Sequence, residues 1–508
     1  MQNIIKEICL NRWENNMMLH TYIDKFNQND IEYYKQDIDN NHAEEWLKEN
    51  IPYFECPDKE LEETYYFRWW VARKHVKTTE DGYVVTEFLP KVGWSGKHNT
   101  IVAAACHHIA EFRWLKNGKK ILSDYIKFWL DEKGNSYDYS SWLIDSIYKF
   151  CKFENDFSIA IENFDLLFNF YEKTKKEHIT KSGLFWSIDG RDAMEFSISG
   201  TTVDYKVQKG IRPTLNSYMY ANAYALSEIA KTAGKEDISN KYREEAERIK
   251  KLIIEILWDG EFFKAIHRDD IENLESVSAK ESIKETQNVK ELIGFIPWWF
   301  NIPPESFSFA FEYLKDEKCF NHKYGFTTAD QQHPRFLYEA NHECLWNGYI
   351  WPFASSQTFN AIISFMDNYN QSIITKEDLY SMFMKYVRSH YRILENGEKI
   401  NWLDEVKSPL TDEWSSRTLL EKWGWPAGKG GKERGKDYNH STFCDILFRG
   451  ILGIKAENGE ISVNPRILDD WNYFKVENLW ICNKNYTIIY DKDGTHYDKG
   501  KGVLIFKE

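Results

Sequence analysis

Residues 212–257 read RPTLNSYMYANAYALSEIAKTAGKEDISNKYREEAERIKKLIIEIL and contain two helical patterns in series. Pro213 stands at the start of the first pattern, where its missing N–H leaves no helical hydrogen bond unmade. In the second pattern, apolar residues recur at helical steps and so share one face: Tyr242, Ala246, Ile249, Ile253 and Ile256. A short polar segment around Gly234 separates the two patterns. The stretch therefore predicts a helical hairpin.

Comparable helical patterns occupy much of the remaining chain. They cover residues 97–116, 118–131, 140–154, 158–176, 350–367 and 376–393. Helices that follow one another with few strands between them favour an all-α toroid or bundle over an α/β sheet. A β-hairpin around Asp81-Gly82, within 76–88, is one exception.

Short β-type runs separated by turn residues fill the end of the chain, from about residue 457 onward. The predicted organisation is thus an N-terminal extension over residues 1–60, a large helical domain over 61–456 and a small β domain over 457–508. At 508 residues, one large domain with a small appendage is the expected division.

Composition and charge exclude several functional classes. Hydrophobic residues make up 42% and charged residues 28%, a balance that can bury a core. The net charge of −14 argues against a nucleic-acid partner. The mean hydropathy of −0.60 and the lack of a long apolar run argue against a membrane protein. Charges interrupt residues 1–25, so no secretory signal is predicted and a cytoplasmic location is expected.

No metal or cofactor is predicted. The eight cysteines form no CxxC pair, which favours reduced thiols over a zinc site or a disulfide framework. Several histidines lack the HExxH spacing of a catalytic zinc site: His107, His108, His322, His333 and His342. The Gly-rich, basic stretch 425–437 lacks the spacing of a phosphate-binding loop and is interpreted as a mobile loop beside a site.

The chain is rich in aromatic residues, with 20 Trp, 30 Tyr and 32 Phe. Core packing accounts for most of them, and the excess of Trp also fits sugar binding, because flat apolar rings match the faces of sugars. Glycoside hydrolysis needs two carboxyl groups placed on either side of the scissile bond. Two stretches hold acids in aromatic, turn-rich surroundings.

The first stretch spans residues 183–200 and holds Asp189, Asp192 and Glu195 near Trp186. Apolar surroundings raise the pKa of a carboxyl group, as a general acid at neutral pH requires. The alternative is a set of acids that cap turns and stabilise a loop.

The second stretch spans residues 402–414 and holds Asp404, Glu405, Asp412 and Glu413 between two tryptophans. Lys407 and its neighbours could keep one of these carboxylates ionised, as a base must be. The alternative is an ordinary surface turn.

Four stretches, in this order, resemble the inverting (α/α)6-barrel glycoside hydrolases of the trehalase, processing α-glucosidase I and mannosylglycerate hydrolase type, a glycoside hydrolase family 63-like group. Residues 193–197 match the motif that holds the acid, with Glu195 in place of Asp. Residues 346–351 match a Trp-Arg-Gly-Pro-x-Trp motif, with Asn347 in place of the basic residue. Residues 405–412 match the Glu and Thr of the motif that holds the base, and 435–443 match a later Gly-x-x-Tyr…Phe stretch.

The resemblance implies a six-hairpin toroid in which Glu195 is the general acid and Glu405 the base that activates water, with inversion of configuration. Asp192 is a rival for the role of acid. The resemblance, together with the aromatic content, suggests further substrate contacts: the walls Trp186, Trp346, Trp351 and Trp402, and the hydroxyl-binding residues Arg191, Arg212 and Asn347.

The expected function is exo-acting hydrolysis that releases a monosaccharide from a short oligosaccharide or small glycoside. A glycoside phosphorylase and a sugar-binding barrel without catalysis are the alternatives. The sugar stays open among an α-glucoside, an α-mannoside and a β-L-arabinofuranoside.

Overall fold

The computed structural model describes residues 17–507 except 132, 268–270, 274, 276–286 and 339–340. The protein is mainly helical, about 45% of it, with small sheets between and after the helices. The α-helices with printed bounds are Ala43–Asn50, Lys59–Arg73, Val102–Phe112, Gly118–Leu130, Leu143–Glu154, Ser158–Glu162, Phe164–His178, Pro213–Thr232, Glu236–Leu257, Ile296–Trp299, Phe311–Lys315, Pro352–Asn368, Lys376–Arg388, Ser415–Lys422 and Cys444–Ile446.

The predicted helical hairpin is confirmed as the helices Pro213–Thr232 and Glu236–Leu257, which pack against each other. Pro213 occupies the first turn. The predicted apolar face of the second helix is its buried face. Burial of such a face is what stabilises a surface helix of this length.

Other predicted helices are present with shifted ends. The one expected from residue 97 begins at Val102, because His98 and Asn99 adopt left-handed φ angles of 57° and 62° that a helix cannot contain. The one expected over 158–176 breaks at Asn163. The one expected over 376–393 ends at Arg388, and the chain continues as a strand.

The strands are short outside the C-terminal region. They are Tyr53–Glu55, Val76–Thr79, Gly82–Val85, Trp186–Ser187, Gly210–Ile211, Ile266–His267, Asn321–His322, Gly325–Phe326, Tyr391–Ile393, Lys399–Asn401, Ile454–Glu457, Glu460–Val463, Tyr473–Ile481, Lys484–Asp491 and Gly502–Lys507. The predicted hairpin at 76–88 is confirmed, with Val76 paired to Val85.

The last three strands form an antiparallel sheet that also includes a strand from the N-terminal region, whereas Ile454–Glu457 and Glu460–Val463 pair as a separate two-stranded sheet. Tyr53–Glu55 pairs with Tyr473–Ile481, so that Phe54 lies opposite Val476. Both side chains are fully buried. Segments that sequence analysis assigned to the first and last parts of the chain therefore share one sheet.

Most of the buried apolar side chains form a continuous core that runs from the N-terminal region through the helices to the C-terminal sheet. Among the described residues, no helix is long and apolar enough to cross a membrane. The described cysteines are free thiols, while Cys9 lies outside the described residues.

Candidate active site

A cavity of about 250 Å³ opens between the two acidic stretches. Four carboxyl side chains line it, namely Glu87, Glu195, Glu343 and Glu405. Its aromatic walls include Phe88, Trp94, Tyr139, Trp351 and Tyr438, and its basic and imidazole groups are His342, Lys429, Arg434 and His440. Acids, rings and a few cations thus converge on a space of roughly the size of a small ligand.

Glu195 reaches this cavity from an irregular segment. A single helical turn, Asp189–Asp192, precedes it, and Ala193 and Phe196 adopt left-handed φ angles of 58° and 60°. The pKa of Glu195 is raised to about 7, chiefly by burial and in part by the nearby charges of Asp189 and Glu405. A carboxyl group with this pKa is protonated in about half of the molecules at neutral pH, and the protonated form can donate its proton.

Asp192, the rival acid, does not line the cavity. Its carboxylate is fully buried, where it accepts from Arg212 Nε at 2.6 Å and from the hydroxyls of Thr214 and Ser187. The pair uses Nε of Arg212, a residue that sequence analysis assigned to a sugar hydroxyl. Asp192 and Arg212 thus contact each other inside the protein, outside the cavity that Glu195 lines.

Glu405 lies on the other wall and is held by two groups. Its Oε2 accepts from Ser416 Oγ at 2.7 Å and forms an ion pair with the buried guanidinium of Arg434. The carboxylate of Glu405 raises the pKa of Arg434 although burial opposes this, so the cation persists. Lys407 pairs instead with Asp412 at 2.6 Å. The hydrogen bonds that the structure describes for the Glu405 side chain end on Oε2, which leaves Oε1 to accept from water.

The Gly-rich stretch 425–437 supplies part of the cavity wall through Lys429 and Arg434. Gly435 is required by close packing, because a Cβ there would lie 1.9 Å from Asp404 Oδ1 and 3.3 Å from Glu405 Cγ. This glycine lets the segment pass directly over the carboxylates.

Glu87 is a cavity carboxyl that sequence analysis missed. Its Oε1 accepts from the hydroxyl of Tyr438 at 2.6 Å and lies 3.0 Å from Nδ1 of His440. Its Oε2 is buried and has no partner among the described residues. The available signal was a lone acid in Val-Thr-Glu87-Phe-Leu, at the end of the segment 76–88 that was predicted as a hairpin.

The tryptophans predicted as walls differ in position. Trp351 lines the cavity, and Trp346 stacks on it from behind at a centroid distance of 4.4 Å. Trp402 lies outside the cavity beneath the guanidinium of Arg417. Trp186 lies outside it as well, under the ammonium group of Lys209.

The other predicted hydroxyl contacts are used within the protein. Arg191 donates to the carbonyl oxygen of Tyr137. The amide nitrogen of Asn347 donates to the carbonyl oxygen of Tyr338 at 2.7 Å. Of the predicted site residues, the described cavity brings together Glu195, Glu405 and Trp351.

Residues 97–441 match the family model described as the mannosylglycerate hydrolase MGH1-like glycoside hydrolase domain. The chain belongs to this family. The match confirms the resemblance to mannosylglycerate hydrolases, and the matched range contains Glu195, Glu343 and Glu405 of the cavity. Glu87 lies just before the first residue of the range that matches the MGH1-like domain.

A solved structure named "Sialidase" is similar to this MGH1-like chain over 97% of its length, with 36% identity and a TM-score of 0.85. The chain spans 43% of that protein's length. An α-L-rhamnosidase from Dictyoglumus thermophilum aligns over 87% of this chain and 43% of its own, with 14% identity and a TM-score of 0.52. A GH78 family rhamnosidase of Bacillus sp. GL1 aligns over 87% and 40%, with 11% identity and a TM-score of 0.56. The two rhamnosidases share the fold.

Proposed function

We propose that this protein is an inverting, exo-acting glycoside hydrolase in which Glu195 is the general acid and Glu405 the general base. The observation that carries the proposal is the cavity between a carboxyl group with a pKa of about 7 and a carboxylate that is paired with a buried arginine. In this proposal the helical hairpins of residues 61–456 form a six-hairpin toroid, with 1–60 packed on it and 457–508 as a small β domain.

The proposed reaction needs one proton transfer at each carboxyl group. Protonated Glu195 donates its proton to the glycosidic oxygen as the bond from that oxygen to the anomeric carbon breaks. Oε1 of Glu405 accepts a proton from a water molecule that attacks the anomeric carbon from the opposite face. In inverting enzymes the two carboxyl groups lie roughly 6.5–9.5 Å apart to make room for this water.

The size and lining of the cavity support the release of one sugar. Its volume of about 250 Å³ lies just below the ~300–1,000 Å³ of most ligand pockets, which suits a single ring better than an internal segment of a polymer. The unpartnered Oε2 of Glu87 and the neighbouring His440 offer hydrogen bonds to sugar hydroxyls. Trp351 offers a ring face.

The charges of the cavity favour a neutral sugar over a sugar that carries a carboxylate, which the name of the 36% identical relative suggests. Besides the proton donor Glu195, three carboxyls, Glu87, Glu343 and Glu405, stand against two strongly basic groups among the described lining residues. Those two, Arg434 and Lys429, are already paired with Glu343, and Arg434 also with Glu405. A sugar carboxylate would have to displace these pairs.

The same ion pairs favour hydrolysis over the alternative of a glycoside phosphorylase. Phosphate in the position of the attacking water would lie beside the Glu405 carboxylate, and like charges repel. Arg434 would be free to bind phosphate only after leaving Glu405.

The test is a screen of 4-nitrophenyl glycosides that includes the α-glucoside, the α-mannoside and the β-L-arabinofuranoside. NMR of the first-formed sugar should show inverted configuration, with a rate that does not depend on phosphate. Glu405→Gln should abolish turnover, whereas Glu413→Gln, at an exposed position of the same stretch, should leave it unchanged. Retained configuration would refute the mechanism, phosphate dependence would favour the phosphorylase, and binding without product would favour a sugar-binding barrel.

A further inference from the structure

A row of aromatic side chains leads from the cavity to the protein surface. The ring of His342, which lines the cavity, lies 4.6 Å from the ring of Phe196. Phe196 lies 6.0 Å from Tyr205, and Tyr205 lies 6.1 Å from Tyr338, measured between ring centroids. Tyr205 is 38% exposed and Tyr338 49% exposed. These last two rings are therefore more exposed to solvent than aromatic rings packed in a core.

The second ring of the row is adjacent to the proposed acid, because Phe196 directly follows Glu195 in the chain. A general acid protonates the oxygen that leaves with the second half of the substrate. The leaving group therefore lies on the Glu195 side of the scissile bond. Because the aromatic row extends from the Glu195 side of the cavity to the protein surface, it lies along the direction that a leaving group would take.

The loop that carries Tyr338 is fastened to the segment that carries Phe196 and Tyr205. The guanidinium of Arg335 donates to the carbonyl oxygens of Ile198 at 3.0 Å and Thr202 at 3.1 Å. The backbone carbonyl oxygen of Asn347 accepts from the backbone N–H of Leu337 at 2.8 Å, and the side-chain amide nitrogen of Asn347 donates to the Tyr338 carbonyl oxygen. Asn347 thus fixes the position of Tyr338 in the free protein.

The backbone along this row is held in an unfavourable conformation. Phe196, Tyr205 and Leu337 have left-handed φ angles of 60°, 61° and 54°. Bulky residues rarely adopt such angles unless the surrounding structure enforces them, and the angles then tend to occur at binding and catalytic sites. The positions of the rings are therefore set before any ligand binds.

We propose that Phe196, Tyr205 and Tyr338 form the leaving-group subsites of this enzyme and bind a ring-bearing leaving group by stacking. Flat rings with an exposed face match the apolar face of a sugar or an aryl group. The substrate class is then an oligosaccharide, or a glycoside whose leaving group carries a ring. The proposal rests on the proposed function, because the acid defines which side of the bond the row occupies.

Two substrates of the sugar identified by the glycoside screen separate the subsites from the catalytic cavity: its 4-nitrophenyl glycoside and its glycosyl fluoride. Only the first has a leaving group with a ring. The quantity measured is the ratio of kcat/KM for the nitrophenyl glycoside to kcat/KM for the fluoride. Tyr338→Ala and Tyr205→Ala should each lower this ratio by roughly three- to tenfold, chiefly through KM.

Tyr338→Phe retains the ring and should keep the ratio of the unmodified protein. Phe506→Ala removes a ring of similar exposure from the C-terminal sheet and is the matched control, with both rates expected to stay unchanged. A ratio that stays constant in both alanine variants would overturn the subsites. If the unmodified protein hydrolyses neither substrate, the proposed function itself fails.

Discussion

Individual carboxyl groups in this protein are suited to different roles because their surroundings differ. Glu195 is desolvated and lies near other acids, so its pKa rises to about 7. Asp192, three residues earlier, is also buried but faces Arg212. Both carry the same functional group in the same stretch, and the proposed division of roles, proton donation by Glu195 and loop stability by Asp192, rests on their different neighbours.

The pH dependence of activity should follow Glu195. The acid works only while protonated, so kcat/KM for a 4-nitrophenyl glycoside should fall as pH rises through about 7 and approach a tenfold loss per pH unit above it. A glycosyl fluoride needs little help in departure, so Glu195→Gln should impair its hydrolysis far less than that of the nitrophenyl glycoside. An activity that stays constant up to pH 9 would contradict the assignment.

Stability should distinguish Glu195 from Asp192. Because the folded-state pKa of Glu195 is raised, its contribution to stability falls as pH rises from the ordinary range to about 7, and Glu195→Gln should raise Tm at pH 8. Asp192→Asn should lower the free energy of unfolding by about 3–5 kcal/mol, because it leaves the buried Arg212 charge unpaired. Thermal unfolding followed by circular dichroism measures both. Equal losses in the two variants would refute this division of roles.

At the scale of elements, periodic patterns in the sequence predicted the helices. The loops that line the cavity show no such periodicity and could not be predicted in this way. The hairpin of Pro213–Thr232 and Glu236–Leu257 follows from a repeated apolar face. The strand Trp186–Ser187 has two residues, too few for any alternation to show. Glu87 reaches the cavity beside a segment more than 300 residues away, as the hydrogen bond from Asn439 N to the Glu87 carbonyl oxygen shows. Such contacts leave no local signature.

The Gly-rich segment should be sensitive to added volume at one position. Gly435→Ala would place a Cβ against Asp404 and Glu405, so we expect kcat to fall at least tenfold while the helical content is retained. Gly428→Ala in the same segment is the control, because a Cβ there meets nothing within 4 Å. Steady-state kinetics on the nitrophenyl glycoside compare the two. Equal activities would mean that the segment shifts without disturbing the base.

At the scale of the whole molecule, the strand Tyr53–Glu55 joins the last three strands of the chain in one sheet. The resemblance between motifs covered the central region and contained no information on this pairing, because strand partners are set by side chains distant in sequence. Phe54 stacks edge-on against Tyr65 of the helix Lys59–Arg73, so the strand connects the C-terminal sheet to the helical core. The sheet is thereby packed against the helices through a continuous apolar contact.

Phe54→Ala should therefore destabilise the helical region as well as the sheet. Removing a fully buried phenyl ring lowers the free energy of unfolding by about 3–5 kcal/mol. Because Phe54 lies between the sheet and the helices, we expect helical circular dichroism and tryptophan fluorescence to shift together to a lower denaturant midpoint in a single transition. Phe506→Ala, on the exposed edge strand, should leave the midpoint nearly unchanged. Two separated transitions in the Phe54 variant would instead mean that the sheet unfolds independently of the helical region.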